Sequence, residues 1–393
     1  MKVLMINVTC GTGSTGRICT DLADALEKKG HQVKIAYGRD NVPEKYKKYA
    51  IRIGDDLDVN MHALKARLLD DSGFESCKVT KKFIKWIEKY NPDIIHLHNI
   101  HGYYINVEIL FNYLKSARKR VIWTLHDCWA FTGHTPYCDV ISCEKWKNGC
   151  DHCSLLHEYP KSLFDFSNRN WNRKKKLFTG IDNMLIVTPS DWLQSLVKNS
   201  FLGSYDVKVI NNGINTKVFY PRKSHFFDKC DIINKHIVLG VSSVWDKMKG
   251  LNDFIKLSQL LDENYKLVLV GLTSKQIKCI PNNIIGIERT ESVEELAMIY
   301  SEADVFANLS YCENYPTVNI ESLACGTPVL TYDTGGSPEI VKKYGGAIVE
   351  KKNIEEVKNV IEKMVKNNIQ IVFKPEENDV DYMIKKYLEV YTL

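Results

Sequence analysis

The stretch that decides the fold reads Glu313-Asn-Tyr-Pro316-Thr-Val-Asn-Ile-Glu321, followed by Ser-Leu-Ala-Cys-Gly326-Thr-Pro328-Val. Proline is favoured at the start of a helix, so Pro316 predicts that Glu313 lies in the preceding loop and that Glu321 lies inside the helix. A helix start offers unpaired backbone N–H groups and the positive end of the helix dipole. Two carboxylates beside such an anion-binding end suit a ligand that joins a sugar to a phosphate.

This segment resembles the E-x7-E signature of retaining glycosyltransferases, in particular glycosyltransferase family 4, whose members have the two-domain GT-B fold. The resemblance implies that Glu313 binds hydroxyl groups of the donor sugar and that Glu321 binds the ribose of the nucleotide. It also assigns to the donor site the residues that follow Glu313, which are Asn314, Tyr315, Pro316 and Thr317. An ordinary amphipathic helix with two surface acids is the alternative.

Length and charge limit the class of protein. The chain has 393 residues, enough for two domains of the usual size. Its net charge of +5 is mild and indicates no nucleic-acid partner. The N-terminus predicts a first strand rather than a signal peptide, and no apolar run is as long as a membrane-spanning helix. We therefore expect a cytoplasmic protein, either free or peripheral at the inner face of the membrane.

Short apolar runs alternate with helical patterns, which predicts an α/β protein with parallel sheets covered by helices. The predicted strands are 3–8, 33–36, 94–97, 121–125, 184–187 and 207–210 in the first half, and 237–241, 267–270, 283–287, 305–307, 329–331 and 347–349 in the second. The predicted helices include 14–29, 250–261, 293–301, 316–324 and 380–391.

These patterns divide the chain into two Rossmann-like domains. We expect an acceptor-side domain over 1–213, a linker over 214–235 and a nucleotide-sugar domain over 236–375. In the GT-B fold that the resemblance implies, the two domains face each other across a donor-binding cleft. The family's terminal helix further implies that 376–393 packs back on the first domain.

The first predicted strand is followed by Gly11-Thr-Gly13-Ser-Thr-Gly16, a G-x-G-x-x-G pattern that opens a helix. This pattern is also found in nicotinamide-binding Rossmann proteins, so an NAD-dependent oxidoreductase is one alternative. In glycosyltransferases with the GT-B fold the same loop faces the cleft, which assigns Gly13, Ser14, Thr15 and Gly16 to a phosphate or acceptor loop. A tight turn that needs small residues is the purely structural explanation.

The second half opens with Ser242-Ser-Val-Trp-Asp-Lys247-Met-Lys249-Gly250. Family members carry an Arg or Lys and then Lys-Gly here, and the two cations hold the donor diphosphate. Lys249 matches the second cation, whereas the earlier Arg is absent and Lys247 is the candidate to replace it. Fixed cations stabilise the charge that develops on a leaving diphosphate, so no cofactor is expected to be required for catalysis.

Two further elements complete the implied donor site. Gly335 and Gly336 follow a predicted strand and resemble the family's Gly-rich turn beside the donor, although a turn that opens a helix explains them as well. His126 follows another predicted strand, at the end where open α/β sheets bind ligands. Family members carry a His here that contacts the donor sugar, so we expect His126 to act in catalysis with Glu313 and Lys249.

Histidines and cysteines raise the question of a metal. His96, His98 and His101 end one predicted strand and are candidates for the acceptor side, with metal binding as the alternative. The cysteines that cluster in a long loop are Cys138, Cys143, Cys150 and Cys153. Four thiolates can hold a structural zinc, which leaves no open position for catalysis, while reduced and partly buried thiols are the alternative.

The segment 161–178 interleaves aromatic side chains, such as Phe164 and Trp171, with basic ones. This pattern favours a solvated helix with its aromatic stripe toward the core, and peripheral contact with an anionic membrane surface is the alternative.

Taken together, the motifs predict a retaining hexosyltransferase that uses a nucleoside-diphosphate sugar. The acceptor that the resemblance implies is a glycan or a lipid-linked glycan, in the biosynthesis of a cell-surface polysaccharide. Three alternatives stay open at this point. They are a nucleotide-sugar epimerase of similar fold, the NAD-dependent oxidoreductase, and a catalytically silent sugar-binding protein, which the absence of the earlier Arg leaves open. The sequence does not name the sugar, the base or the linkage.

Overall fold

In the computed structural model, the chain divides into two compact units. The first unit contains Met1–Ile210 and Ile384–Leu393, and the second contains Asn211–Met383. The structure describes residues 1–230, 232, 234–367 and 369–392. Residues 231 and 233, inside the predicted linker, and residue 393, at the end of the predicted terminal segment, lie outside the described residues.

The first unit is built on a seven-stranded parallel sheet. Its strands are β1 (Lys2–Ile6), β2 (Gln32–Tyr37), β3 (Ala50–Arg52), β4 (Ile94–Leu97), β5 (Arg120–Thr124), β6 (Met184–Thr188) and β7 (Asp206–Val209). They lie in the order β3-β2-β1-β4-β5-β6-β7. The helices are α1 (Gly13–Lys28), α2 (Asp56–Leu69), α3 (Cys77–Tyr90), α4 (Val107–Ala117), α5 (Ser167–Phe178) and α6 (Asp191–Lys198).

The second unit has a six-stranded parallel sheet in the order β10-β9-β8-β11-β12-β13. Its strands are β8 (His236–Val241), β9 (Tyr265–Val270), β10 (Ile284–Ile287), β11 (Val305–Asn308), β12 (Val329–Tyr332) and β13 (Gly346–Val349). The helices are α7 (Leu251–Leu260), α8 (Ser274–Ile277), α9 (Val293–Glu302), α10 (Thr317–Ala324), α11 (Ser337–Tyr344), α12 (Ile354–Asn367) and α13 (Pro375–Asn378), and α14 (Val380–Tyr391) follows.

Apolar strands explain both sheets. Every residue of β4, β6, β11 and β12 is buried, as expected for parallel strands that helices cover on both faces. The predicted α/β class with two parallel sheets is confirmed. All twelve predicted strands are found with ends that differ by at most two residues. The strand that sequence reasoning missed is β3, which has three residues and pairs only with β2 at the sheet edge.

The end of α14 belongs to the first unit. The Tyr391 hydroxyl lies 2.7 Å from Nδ1 of His96, and the Tyr387 hydroxyl lies 3.1 Å from Oγ1 of Thr124. Both tyrosines are buried, and their partners are the third residue of β4 and the last residue of β5. The C-terminal residues are therefore part of the polar layer at the end of the first sheet.

Candidate functional site

The residues predicted to bind the donor lie in loops at the carboxyl ends of the strands of the second sheet. Lys249 follows β8, Glu313 follows β11, and Gly335 follows β12, and these three parallel strands are neighbours. The chain order reverses between β8 and β11, because β9 and β10 lie on one side and β12 and β13 on the other. Ligands of open α/β sheets bind at the carboxyl ends of the strands beside such a reversal.

Lys249 and Glu313 are in direct contact across this reversal. Nζ of Lys249 donates a hydrogen bond to Oε1 of Glu313 at 2.5 Å. Burial lowers the pKa of the Lys249 ammonium, but the attraction of Glu313 outweighs burial and leaves that pKa above its usual value of 10.5. The Glu313 side chain is 13% exposed and that of Lys249 is 36% exposed. A ligand at the carboxyl ends of these strands can thus reach both charged groups.

The turn that carries Lys249 is fixed by its neighbours. Oδ1 of Asp246 accepts hydrogen bonds from the backbone N–H groups of Met248 and Lys249, at 2.8 and 3.0 Å. Gly250 follows with φ +74°, and a Cβ there would lie 2.2 Å from the Leu309 carbonyl oxygen. Only glycine fits this position, which explains the Lys-Gly pair. Lys247 is exposed on the same turn.

The Gly-rich turn fits against the backbone of Glu313. Gly335 has φ +54°, and a Cβ on it would lie 1.6 Å from the Glu313 carbonyl oxygen. The Thr334 hydroxyl donates a hydrogen bond to the carbonyl of Tyr311 at 3.0 Å. Gly336 is buried and precedes the first residue of α11. The loops after β11 and β12 therefore hold each other in place.

A buried polar network holds α10 against the neighbouring strands and α11. Nδ2 of Asn308 donates to Oδ1 of Asn319 at 2.8 Å, and Nδ2 of Asn319 donates to the hydroxyl of Ser337 at 2.9 Å. The Ser337 hydroxyl lies 2.7 Å from that of Thr331. A fully satisfied network of this kind fixes one arrangement of the elements that it joins. It joins β11, α10, β12 and α11, which are the elements around Glu313.

Glu321 lies inside α10, as predicted. Its Oε2 atom accepts a hydrogen bond from the buried Tyr300 hydroxyl at 3.3 Å. Pro316 is the residue before the first helical residue, Thr317, so the helix begins one position later than predicted. The segment that leads into it is held by Asn212, whose Nδ2 donates to the Tyr315 carbonyl at 3.0 Å. Asn314 lies in the loop between Glu313 and this segment and is partly buried.

Sequence reasoning missed one buried acid that supports these loops, Asp253. Asp253 of α7 is buried, and its Oδ2 atom accepts hydrogen bonds from the Tyr311 and Tyr332 hydroxyls at 2.7 and 2.8 Å. The backbone N–H of Tyr311 also donates to the Met248 carbonyl at 2.8 Å. Asp253 therefore ties the loop of Glu313 to the helix that follows Lys249. Its signal in the sequence is weak, because one acid in a helix is common.

The predicted residues of the first unit meet at the carboxyl ends of β1, β4 and β5, which are adjacent strands. The predicted loop residues Gly13 to Gly16 form the first turn of α1, and Gly13 and Ser14 are exposed while Thr15 is partly buried. A Cβ on Gly16 would lie 2.6 Å from Oγ1 of Thr9, so the loop requires glycine for close packing. Nδ2 of the buried Asn7 donates to the Thr9 carbonyl at 2.8 Å.

His126 lies two residues after β5 and faces His98. Its Nε2 atom is 3.0 Å from Nδ1 of His98, and the rings are stacked with an interplanar angle of 14°. Burial lowers the pKa of His126 to about 4, and burial also holds the pKa of His98 well below its usual range. Both rings are therefore neutral at neutral pH. A neutral His126 can exchange hydrogen bonds with hydroxyl groups without carrying a charge.

The other two predicted histidines, His96 within β4 and His101 after it, have separate partners. Both ring nitrogens of His96 are engaged, Nδ1 with Tyr391 and Nε2 with Thr124 at 2.8 Å. Nε2 of His101 lies 2.8 Å from Oδ2 of Asp127. Within the described residues, no group of three or more His, Cys, Asp or Glu side chains is arranged to hold a metal ion. The alternative of a metal held by the three histidines receives no support.

The same finding applies to the predicted zinc ligands. Cys138 is 4% exposed and packs in the apolar core, whereas the other three are only partly buried. Cys150 accepts a hydrogen bond from the backbone N–H of Gly133 at 3.2 Å. Cys138, Cys143, Cys150 and Cys153 all line one cavity, but in the described part of the chain no three of them are arranged to hold a metal ion. A structural zinc at these four residues stays a prediction.

The segment 161–178 is mostly a structural element. Trp171 and Phe178 of α5 are buried, and so is Lys174, whose ammonium donates to the carbonyls of Trp129 and Thr132 at 2.7 and 3.0 Å. Burial lowers the pKa of Lys174 to about 7. These side chains face the core and cannot form a membrane surface. In the part of the chain that the structure describes, no helix has the length and apolarity needed to cross a bilayer.

Comparison with known proteins places these elements in a family. A family model described as "Glycosyltransferase Family 4" matches residues 15–218, and one described as "Glycosyl transferases group 1" matches residues 223–385. A curated relative from Escherichia coli K12, named putative colanic acid biosynthesis glycosyl transferase WcaC, is 22% identical over 90% of this chain and 88% of its own length. A Campylobacter jejuni N,N'-diacetylbacillosaminyl-diphospho-undecaprenol alpha-1,3-N-acetylgalactosaminyltransferase is 24% identical over 46% of this chain and 52% of its own.

Solved structures agree on the fold. Sucrose-phosphate synthase from Thermosynechococcus elongatus aligns with a TM-score of 0.70 at 15% identity, over 100% of this chain and 98% of its own. HepE from Anabaena, solved in complex with UDP, aligns with a TM-score of 0.68 at 15% identity over 100% of both chains. The two parallel-sheet units thus form the GT-B fold. With both halves of the chain matched by glycosyltransferase models, this protein is a glycosyltransferase and belongs to glycosyltransferase family 4.

Proposed function

We propose that this glycosyltransferase moves a hexose from a nucleoside-diphosphate sugar to a glycan or lipid-linked glycan acceptor, with retention of anomeric configuration. The observation that carries the proposal is the contact between Lys249 and Glu313 at the ends of two neighbouring strands. A nucleotide sugar has an anionic half and a half rich in hydroxyl groups. A cation and a carboxylate in contact match those two halves and fix their relative position.

Lys249 binds the diphosphate in this proposal. Negative charge grows on the leaving diphosphate as the glycosidic bond breaks, so a fixed ammonium stabilises the transition state more than the bound donor. Its raised pKa keeps the ammonium charged throughout the neutral range. Lys247, exposed on the same turn, is the second cation that the donor can meet. Charge neutralisation by these lysines requires no metal ion.

The two glutamates bind the rest of the donor. Glu313 accepts hydrogen bonds from sugar hydroxyls and thereby orients the anomeric carbon. Glu321, held by the Tyr300 hydroxyl at 3.3 Å, accepts hydrogen bonds from the ribose. The support for this division is their order along the chain, since Glu313 contacts the cation while Glu321 lies about one turn into α10.

The chemistry follows from these positions. The bond between the anomeric carbon and the diphosphate oxygen breaks, and the electron pair leaves with the diphosphate. The acceptor hydroxyl attacks the same face, and its proton passes to an oxygen of the departing phosphate. Attack on the face that the leaving group vacates preserves the anomeric configuration. Neutral His126 contributes by hydrogen bonding to the sugar rather than by carrying charge.

The first experiment identifies the donor. A panel of nucleotide sugars is screened by thermal shift, with NAD as the control for the oxidoreductase alternative. A ligand at a hundredfold excess over Kd stabilises the folded state by about 2.7 kcal/mol. We expect one nucleoside-diphosphate hexose to raise the Tm and NAD to leave it unchanged. A shift with NAD alone would contradict the proposal.

The second experiment separates transfer from isomerisation. The stabilising donor is incubated alone and with lipid-linked or free glycan acceptors, and the products are followed by NMR of the anomeric proton. We expect product only when acceptor is present, with the anomeric configuration of the donor. Conversion of the donor in the absence of acceptor would indicate the epimerase, and an inverted product would exclude the retaining mechanism.

A further inference from the structure

His98 is buried at the carboxyl end of β4 and is held there by its backbone. It follows β4 directly and is 1% exposed. Its N–H donates to the Ile6 carbonyl at 2.9 Å, and its carbonyl accepts a hydrogen bond from Nε1 of Trp123 at 3.3 Å. Its ring packs against those of His96 and His126, with ring centroids 4.0 and 5.3 Å away. A side chain enclosed in this way does not contact a sugar, so it can act on transfer only through a neighbour.

The neighbour that His98 contacts is His126. Nδ1 of His98 lies 3.0 Å from Nε2 of His126, and such a hydrogen bond needs a proton on one of these nitrogens and none on the other. Burial holds the pKa of both rings below their usual range, so each ring carries one proton at neutral pH. The carboxylate of Asp127 raises the pKa of His126, but it does not outweigh burial, and it is paired with His101. The contact therefore joins two neutral rings.

The other ring nitrogen of His98 indicates the direction of this hydrogen bond. Within the described residues, Nε2 of His98 is buried and has no hydrogen-bond partner. If Nδ1 accepted the bond, the proton of His98 would lie on Nε2, as a buried N–H group without an acceptor. If Nδ1 donates, Nε2 holds only an unused lone pair. Buried N–H groups without a partner are rarer in native structures than under-used acceptors, so the geometry favours His98 as the donor.

His96 limits the alternatives for the His98 ring. The rings of the two histidines are in contact, but both nitrogens of His96 are engaged, Nδ1 with the Tyr391 hydroxyl and Nε2 with the Thr124 hydroxyl. His96 therefore cannot replace His126 as the hydrogen-bond partner of His98. It packs against the His98 ring and leaves Nδ1 directed to His126.

We propose that His98 is a positioning residue for sugar transfer, in which its Nδ1–H donates to Nε2 of His126 and thereby places the single proton of His126 on Nδ1. The hydrogen bond made by one nitrogen of an imidazole sets which nitrogen carries the proton. His126 then offers a donor at Nδ1, which matches a lone pair of a sugar oxygen. This inference rests on the proposed function, in which His126 hydrogen bonds to the donor sugar. It assigns to His98 an indirect role in place of the acceptor contact expected from the sequence.

The first test locates the proton and needs no ligand. The full chain is labelled with nitrogen-15 at histidine and its ring nitrogens are observed by NMR at neutral pH, with His126→Gln to identify the signals of His126. We expect the proton on Nδ1 of His126 in the unchanged protein. His98→Phe keeps a ring without nitrogens, so both tautomers of His126 should appear. The amide of His98→Asn can donate from the position of Nδ1, so the proton should stay on Nδ1 of His126.

The second test measures transfer by the same proteins. His98→Phe should lower kcat by about tenfold or more, because the hydrogen bond to the sugar is no longer oriented. The affinity for free nucleoside diphosphate should stay within about twofold, since that ligand has no sugar. His98→Asn should have a kcat within about threefold of the unchanged protein.

His62→Phe is the matched control, since it removes another buried histidine of the first unit. Nδ1 of His62 lies 2.8 Å from the Ser76 hydroxyl, and its Nε2 accepts from the Gly73 N–H at 3.1 Å. His62→Phe should lower stability through the loss of these bonds but leave kcat within about twofold.

The proposal is overturned if Nε2 of His126 carries the proton in the unchanged protein, a result that decides it even where a variant does not fold. It is also overturned if His98→Phe keeps its kcat, or if His62→Phe loses as much kcat as His98→Phe. An unchanged protein that transfers no sugar from any nucleotide donor would overturn the proposed function. The wrong tautomer in an active protein would overturn only the role of His98.

Discussion

Nζ of Lys249 lies 2.5 Å from Oε1 of Glu313, although the two residues belong to loops that follow different strands. Each side chain therefore sets the position of the other before any ligand arrives. In the proposed function, a donor that replaces part of this contact meets both groups already oriented, which lowers the cost of binding. The pair also makes the roles of the two residues separable by experiment.

The first prediction compares Lys249→Ala with Glu313→Ala. Lys249→Ala should lower turnover by at least about a hundredfold. It should also weaken the binding of free nucleoside diphosphate by about 1.5–3 kcal/mol, because a charge-assisted contact is lost. Glu313→Ala should lower turnover similarly but leave the affinity for free nucleoside diphosphate within about threefold, since that ligand has no sugar. Transfer rates and calorimetric affinities are measured side by side. Equal losses of nucleotide affinity would show that the division of roles is wrong.

The second prediction concerns Glu321 and Tyr300. Glu321→Ala should weaken nucleoside-diphosphate binding by about 1.5–3 kcal/mol, and Tyr300→Phe by about 0.5–1.5 kcal/mol, because the tyrosine only holds the carboxylate. The decisive measurement uses the matching 2'-deoxy and 3'-deoxy nucleotides in calorimetry. The unchanged protein should bind at least one of them more weakly than the ribonucleotide, and Glu321→Ala should not distinguish them. Discrimination that persists in Glu321→Ala would remove Glu321 from the ribose site.

The third prediction tests the packing of the loop after β12. Gly335→Ala places a Cβ 1.6 Å from the Glu313 carbonyl oxygen, so the loop must move and take Glu313 with it. We expect transfer to fall by at least about tenfold, since small displacements of positioning groups are costly. Gly30→Ala is the matched control, with φ +79° and no atom within 4 Å of the added Cβ. It should cost about 1–2 kcal/mol of stability and no activity. Activity retained in Gly335→Ala would refute the tight packing.

The fourth prediction is a pH dependence of stability. Burial lowers the pKa of His96 from 6.5 to about 3, so the folded state holds this ring neutral while the unfolded state protonates it below pH 6.5. The stabilisation is therefore complete above pH 6.5 and is lost as the pH falls toward 3. The free energy of unfolding in urea should differ most between the unchanged protein and His96→Asn at pH 7.5. That difference in the free energy of unfolding should shrink at pH 4.5. A difference that stays constant between the two pH values would mean that burial does not lower the pKa of His96.

Patterns in the sequence predicted the strands because a parallel strand covered on both faces must be apolar throughout. Resemblance to family motifs predicted donor-site roles for Lys249, Glu313 and His126, and the structure places these residues in the loops that follow β8, β11 and β5. The contact between Lys249 and Glu313 could not be read in this way, since it joins residues 64 positions apart. The requirement for glycine at position 335 likewise arises from the backbone of Glu313, which no local pattern reveals.

Two segments have surroundings that their composition alone does not reveal. The basic and aromatic segment 161–178 looked like a surface, yet Lys174 is buried and donates to two carbonyls. The cysteine spacing is compatible with zinc, and Cys138 also packs in the apolar core. In both cases a side chain that often lies at surfaces or in metal sites is satisfied by distant backbone or core groups. Composition describes what a residue can do, and long-range packing decides which use it has.

The contact between His96 and Tyr391 has a consequence for folding during synthesis. A ribosome delivers the first unit early, but the tyrosines that complete its polar layer follow only after the whole second unit has been made. At about 5–20 residues per second, the nascent first unit waits on the order of 10 s or longer with His96 and Thr124 uncovered. During that interval the ends of β4 and β5 are open to water and to chaperones. Final maturation of the first unit is thus timed by the synthesis of the second.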